Sequence, residues 1–278
     1  MDLISPNVTK PINQPNIWPL NTTLCFDFGN TRQKCGIFRD GVLQEVLNIP
    51  DGSPESIREI LAHHPASRSI LASVIDHDPA IETLLAQNGP FHKLSAGSLL
   101  PFTTPVGKPE TIGADRLALA AAAVHFHQGR HNLVIGLGSC ITYNFINKFG
   151  SFIGGSISPG KEMRFRAMHT FTAKLPWIET DGLKPLWEIP LMGYDTRSNL
   201  LSGVVYGMAS EIDGIIAKYQ EKFRNFNVIL TGGDAAYITR LLSHPVHCDP
   251  DLLFKGLYAI CEVNLSSTNF GGSHDENR

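Results

Sequence analysis

The chain contains no run of about 18 apolar residues, so no segment is expected to span a membrane. Its 278 residues carry 23 Lys and Arg against 26 Asp and Glu, a net charge of -3 that supplies no broad basic field for nucleic acid. Five cysteines, Cys25, Cys35, Cys140, Cys248 and Cys261, follow no ligand spacing and leave one over in any disulfide scheme. That usage points to a reducing compartment and a cytoplasmic protein. The start, residues 1–21, holds Pro, Asn and Thr without a basic stretch leading into an apolar one, and reads as an extension with no secretory role. No Gly-Lys-Ser or Gly-Lys-Thr occurs, which argues against a P-loop. What is present, 42% hydrophobic and 18% charged residues, suffices for one large or two compact domains.

Turn dipeptides divide the chain into short apolar strands. Gly29-Asn30 and Asp40-Gly41 separate expected strands at Leu24–Phe28, Lys34–Phe38 and Val42–Leu47, a three-stranded meander. Ser53 and Asp78, each followed by Pro, cap two helices, the second over Ile81–Gln87, around a buried strand at Ile70–Val74. The loop Ser95–Thr111 holds Pro101, Pro105 and Pro109 and reads as a linker or a substrate lid. Gly113-Ala114-Asp115-Arg116 then opens an alanine-rich helix to about Phe126. The meander returns at Leu133–Leu137, Ile141–Asn147 and Phe152–Ile157, split by Gly138-Ser139 and Phe149-Gly150. Helices are expected from Pro159-Gly160 to His169, from Thr196 to about Phe223 and over Ala235–Leu242, with a strand at Val228–Leu230 ending in Thr231-Gly232-Gly233. A meander followed by alternating helix and strand, performed twice, predicts two α/β domains with a cleft between them. The expected division is an extension over 1–22, a first domain over 23–112, a second over 113–270 and a polar tail over 271–278.

Two of the turns share a pattern. Asp27-Phe28-Gly29-Asn30-Thr31 and Gly136-Leu137-Gly138-Ser139-Cys140 each follow an apolar run and lead into another. A phosphate requires converging backbone N–H groups, which a glycine turn presents without an obstructing Cβ. Two such loops can face one polyphosphate, so ATP-dependent phosphoryl transfer is the expected chemistry. Gly29 would allow close approach, Asn30 and Thr31 add donors, and Asp27 at the strand end would hold Mg2+ directly or through water. Taken singly, the first loop is equally an ordinary Asn-bearing hairpin turn. The second lacks the third glycine of a dinucleotide fingerprint.

These loops belong to a longer series: Lys34, Gly113-Ala114-Asp115-Arg116, a second loop ending in Thr142, Gly154-Gly155-Ser156-Ile157-Ser158-Pro159-Gly160, Thr172-Ala173-Lys174-Leu175-Pro176 and Thr231-Gly232-Gly233. In this order, over about Leu24–Asn264, the series resembles the type III pantothenate kinases of the acetate and sugar kinase, Hsp70 and actin superfamily. The resemblance implies an α/β fold of two duplicated ribonuclease H-like (actin-like ATPase) domains with an interdomain cleft, and a homodimer with its interface in the second domain. It implies transfer of the γ-phosphoryl of ATP to the primary hydroxyl of pantothenate, the first step of coenzyme A synthesis. Mg2+ with ATP and a monovalent cation, potassium or ammonium, come with it.

Roles carry over by matched position. Asp115 is similar to the family's general base, and a carboxylate at a helix start stays ionised because the dipole favours the anion. Gly113 and Arg116 correspond to substrate-binding positions, with the Arg fork shaped for the pantothenate carboxylate. Lys34 would face the transferring phosphoryl. Gly138, Ser139 and Thr142 would line the phosphates, while Gly232 and Gly233 would let the adenosine lie on bare backbone. Thr196 matches a threonine that reaches the pantothenate site from the neighbouring subunit. Val106 falls where the family commonly has a tyrosine. Without the resemblance, the same residues read as a helix-start acid, a surface ion pair, an exposed strand lysine, a helix cap at Thr196 and plain turns.

The chain departs from the family pattern at Gly136 and Asn144, which stand where aspartates are usual, so a ligand for the monovalent cation is missing. Asp27, Lys34, Asp115 and Arg116 persist, which favours an active kinase. Two alternatives stay open at this point: a catalytically impaired homologue acting as a ligand-binding or regulatory protein, and a kinase for another acceptor such as a sugar, against which Arg116 speaks because a sugar offers no carboxylate. His125, His127 and His131 are read as histidines near a helix C-terminus, since only two could share a face and Gly129 falls between them. Met163, Phe165 and Met168 are read as core or dimer surface.

Overall fold

The computed structural model describes residues 21–105, 109–179 and 188–265. Val106, residues 1–20 and the tail 271–278 lie outside the described residues. Strands β1 (Thr22–Phe28), β2 (Gln33–Arg39) and β3 (Val42–Ile49) form an antiparallel meander, followed by α1 (Pro54–His63), β4 (Arg68–Ser73), α2 (Pro79–Gln87) and β5 (Phe91–Lys93). β4 runs parallel to β1 and β5 parallel to β4, which gives the order β3-β2-β1-β4-β5. After α3 (Ala114–Phe126) come β6 (His131–Leu137), β7 (Cys140–Ile146), β8 (Phe152–Pro159), α4 (Lys161–Thr170), α5 (Thr196–Lys222), β9 (Phe226–Thr231), α6 (Ala235–Ile238), β10 (His247–Cys248) and α7 (Leu252–Leu265). The second sheet has the order β8-β7-β6-β9-β10. The fold is therefore mixed α/β with two five-stranded sheets, and each sheet has its meander on one side of a central strand and parallel strands on the other.

Local chemistry starts the helices where the turn signals lie. Ser53 Oγ accepts from Ser56 N at 3.2 Å and Asp78 Oδ1 from Ala80 N at 2.8 Å, each with Pro at the first helical position. Such a cap contributes about 1 kcal/mol. At α5 the cap is Asp195 and not Thr196: Asp195 Oδ1 accepts from Ser198 N at 2.7 Å, and the Ser198 hydroxyl accepts from Asp195 N, a reciprocal capping box. The helix expected over Ala235–Leu242 ends early at Ile238 and continues as a 3-10 turn over Thr239–Leu241.

The alanine-rich α3 and the apolar α7 pack on one another and on the first sheet. Ala118, Ala120, Ala121, Ala122 and Ala123 are fully buried, and a Cβ on Gly256 would lie 1.8 Å from the Ala118 carbonyl oxygen. Small residues on both helices let the backbones approach closely enough for α3 to run beneath both sheets, with Leu119 and Ala122 meeting Val134 and Ile229. α3 thereby carries its N-terminus to a position fixed by two cores.

α5, of 27 residues with an 18-residue stretch of mean hydropathy 1.3, is long and apolar enough by composition to cross a membrane. Its apolar side is spent on the second sheet: Leu200, Val204, Val205, Met208, Ile212 and Ile216 are buried with Leu133, Ile135, Tyr143 and Leu230. Phe165 joins that core, whereas Met163 stands exposed. His131 stacks on Phe145 and His127 faces His247, so these histidines point to different neighbours.

Candidate active site

The first glycine turn closes the β1–β2 hairpin. Gly29 N donates to Arg32 O at 3.1 Å, and Asn30 and Thr31 are exposed at the tip. In the ladder Asp27 stands opposite Lys34, so the hairpin register itself sets an acid beside a base. The half-buried Asp27 carboxyl is pushed up from the ordinary 3.8 to about 6, first by burial and next by the charge of Asp115, with Lys34 opposing. Residues distant in sequence thus share one electrostatic site.

Asp115 is the second residue of α3, exposed, with Gly113 as the backbone cap. A Cβ on Gly113 would lie 2.6 Å from Asp115 Oδ1, so glycine is what gives that carboxylate its room. Next to it, Arg116 turns inward. Its Nε donates to Asn144 Oδ1 at 2.7 Å, and its guanidinium lies 5.6 Å from the centre of the Phe152 ring. Burial lowers the affinity of Arg116 for its proton from the usual value, and Asp115 opposes that change.

The second glycine turn closes the β6–β7 hairpin, with Gly138 N donating to Cys140 O at 3.1 Å. The two turns meet: Thr31 Oγ1 lies 3.2 Å from Ser139 Oγ, a hydrogen bond between hairpins of different sheets. The Thr231-Gly232-Gly233 turn backs onto the end of β6. Gly232 has φ +101°, and a Cβ there would lie 2.3 Å from the Leu137 carbonyl oxygen, so a side chain is excluded twice over. Gly233 borders open space.

The structure therefore brings together Asp27, Lys34, Asp115, Thr31 and Ser139, with Gly113, Gly138, Gly232 and Gly233 shaping the backbone around them. Thr142 lies deeper, 7% exposed, its hydroxyl accepting from Asn144 Nδ2 at 3.2 Å. Thr196 is exposed at the start of α5. Two features were not read from sequence. Lys161 Nζ and Asp234 Oδ1, 2.5 Å apart, tie the start of α4 to the Gly232 turn. Each immediately follows a glycine motif, and that adjacency was the available signal. The other is the set of contacts made by Asn144, which the sequence marked only as a departure from the family's aspartate: it is fully buried and bonded on both sides of its amide. A separate cavity of about 270 Å³ between the end of α3 and the β7–β8 turn, lined by His127, Asn132 and Lys148, lies at the opposite end of β6 from these loops.

The sequence matches the family model of type III pantothenate kinase over residues 23–218. It is similar to curated relatives named type III pantothenate kinase. The one from Phocaeicola vulgatus is 37% identical over 243 residues, covering 87% of this chain and 98% of the relative. The one from Christiangramia forsetii is 36% identical with the same coverage. In three dimensions the chain is similar to a protein from Campylobacter jejuni described as a Baf family transcriptional activator, at TM-score 0.53 and 22% identity over 87% of this chain and 99% of that one. The activator of 2-hydroxyisocaproyl-CoA dehydratase from Clostridium difficile, with bound ADPNP, aligns at TM-score 0.52 and 13% identity over 91% and 100% of the two chains. At these identities the structural likeness concerns the fold alone.

Proposed function

Because this chain belongs to the type III pantothenate kinase family, and its activity is the ATP-dependent phosphorylation of pantothenate, we propose that its two glycine turns hold the ATP phosphates while Asp115 serves the acceptor hydroxyl. The observation that carries this reading is that the hairpin whose Thr31 hydroxyl meets Ser139 of the second turn also carries Asp27 and Lys34, with Asp115 close enough for its charge to act on Asp27. The primary hydroxyl of pantothenate loses its proton to Asp115 as its oxygen bonds to the γ-phosphorus; the bond to the bridging oxygen breaks and ADP leaves. Lys34 neutralises charge that develops on the γ-phosphoryl oxygens. Arg116 takes the pantothenate carboxylate. Gly232 and Gly233 lie under the adenosine. In fold terms, the common strand order of the two sheets fits two duplicated ribonuclease H-like domains of the actin-like ATPase kind.

Mg2+ bound with ATP supplies charge neutralisation at the β and γ oxygens. Asp27 fits that ion, because a half-buried carboxyl already repelled by Asp115 gains most from a nearby cation. A single carboxylate suffices where phosphates and waters complete the shell. The residues present do not fit a monovalent cation. A Cβ on Gly136 would lie 2.8 Å from Thr142 Oγ1 and 3.1 Å from Leu119 Cδ1, and the Asn144 oxygen is engaged by Arg116. Incubation with ATP, Mg2+ and pantothenate is expected to yield phosphopantothenate and ADP equally with potassium, ammonium or choline as the monovalent cation. Absence of pantothenate-dependent ADP would sink the kinase reading, and a strict need for potassium the cation reading.

The second domain would carry the dimer interface. Ile157, Met163, Phe171, Leu191, Met192 and Tyr194 stand exposed on β8, on and just after α4 and on the segment leading into α5, and offer apolar surface to a partner. Thr196 follows directly and would reach a partner's substrate site. Light scattering is expected to give twice the chain mass of 30.5 kDa, and a monomer at micromolar concentration would refute this. Five free cysteines fit a reducing cytoplasm.

A further inference from the structure

We propose that Asn144 is a positioning residue that sets the affinity of the site for the substrate carboxylate, by anchoring Arg116 without neutralising it. The proposal rests on the reading that Arg116 binds that carboxylate. Asn144 is 0% exposed in the middle of β7. Its Oδ1 accepts from Arg116 Nε at 2.7 Å, while its Nδ2 donates to Val134 O at 3.3 Å and to Thr142 Oγ1 at 3.2 Å. The orientation of the amide is determined by its neighbours, since a guanidinium only donates and a backbone carbonyl only accepts. Every polar atom of the amide is therefore committed, and Arg116 is held from the Nε side with its fork left over.

The rest of the cradle is equally neutral. The Phe152 ring covers one face of the guanidinium, and a Cβ on Gly155 would lie 3.3 Å from Arg116 Nη2, so β8 leaves that nitrogen space. Among the described residues, the groups whose charge acts on Arg116 are Asp115, its neighbour in the chain, and more weakly the phenol of Tyr219, so no carboxylate from β7 or β8 compensates it. An acid at position 144 would behave differently in two ways. It would place a full negative charge at salt-bridge distance from Nε, compensating the cation before any substrate arrives. It would also offer no donor to the Val134 carbonyl or the Thr142 hydroxyl, so both contacts that orient the side chain would be lost.

Gly136 belongs to the same device. It pairs with Thr142 across the β6–β7 ladder, and a side chain there would press on the Thr142 hydroxyl that accepts from Asn144. Glycine at 136 lets Thr142 keep the rotamer that fixes Asn144, and Asn144 then fixes Arg116. The two positions that depart from the family's acids form one connected arrangement whose end point is an uncompensated cation.

The test compares pantothenate with pantothenol, in which a hydroxymethyl group replaces the carboxylate, as acceptors for wild-type protein and for Asn144→Asp, Asn144→Ala and Arg116→Ala. Asn144→Asp is expected to raise KM for pantothenate about tenfold, the gap between a charge-assisted and a compensated contact. KM for pantothenol, KM for ATP and kcat should stay within about twofold. Asn144→Ala, which removes the anchor without adding charge, should raise KM for pantothenate and again spare pantothenol, so the idea remains testable if the aspartate variant does not fold. Equal effects on both acceptors would reduce Asn144 to a structural role and overturn the proposal, as would an unchanged pantothenate KM in both variants. If Arg116→Ala left the preference for pantothenate over pantothenol intact, the role given to Arg116 would fall first and the proposal with it; a lost preference in Arg116→Ala beside unaffected Asn144 variants would overturn the proposal alone.

Discussion

Asp115→Asn is expected to lower kcat by roughly 10²-fold or more, the usual scale for removal of a general base. The substitution keeps the shape of the side chain and its place in the first turn of α3, so ATP affinity and melting temperature should change little. A second consequence follows from the electrostatics of the pair. Asp115 is the second-ranked cause, after burial, of the raised proton affinity of Asp27, so removing its charge should move the acid limb of kcat/KM for MgATP from about pH 6 toward lower pH. The two readouts are separable, because one concerns the acceptor proton and the other the carboxylate proposed to hold the metal. Retention of most of the turnover by Asp115→Asn would return this residue to the role of an ordinary helix-start acid.

Asp27→Asn is expected to cost about 10²-fold in kcat/KM for MgATP, since charge neutralisation by the metal is worth several kcal/mol and each 1.36 kcal/mol is a factor of ten. Calorimetry should show weakened MgATP binding, in contrast with Asp115→Asn. In the wild-type protein kcat/KM should fall as pH drops below about 6, where Asp27 takes up its proton. Stability moves the other way. A carboxyl whose folded value is raised from 3.8 to about 6 favours the folded state below pH 3.8, and that contribution is lost as pH rises to about 6. Asp27→Asn does not titrate, so its melting temperature should gain on the wild type across that window and exceed it at pH 7.5. Unchanged MgATP binding in this variant would remove Asp27 from the metal site.

Much of the fold was legible because its signals were local. Both meanders, the caps at Ser53 and Asp78 and the extent of α3 are written in turn dipeptides, prolines and apolar periodicity within a few residues. What escaped was either very short or not amphipathic. β5 and β10 are three and two residues long and exist only because a parallel neighbour pairs with them. α7 is buried over most of its circumference by α3 and the first sheet, so no polar face marked it as a helix. The cap of α5 was misplaced by one residue, because Thr196 and Asp195 both suit the position and only the hydrogen bonds to Ser198 decide between them.

The site divides in the same manner. Sequence alone singled out the residues proposed to carry the chemistry: two glycine turns, an acid at a helix start with an arginine beside it, and a lysine one strand beyond the first turn. Their types and spacings follow from what a polyphosphate and a hydroxyl acceptor require, and that requirement acts on each segment separately. Tertiary structure decided which of them meet and in what charge state. Only the packing of α3 under both sheets sets Asp115 near Asp27 and raises the latter's proton affinity. The hydrogen bond from Arg116 to Asn144, across 28 positions of chain, likewise exists only once β7 lies against α3. Electrostatic and hydrogen-bond energies depend on distance and burial between segments, and these arise from the cores that hold the segments, which no local pattern encodes.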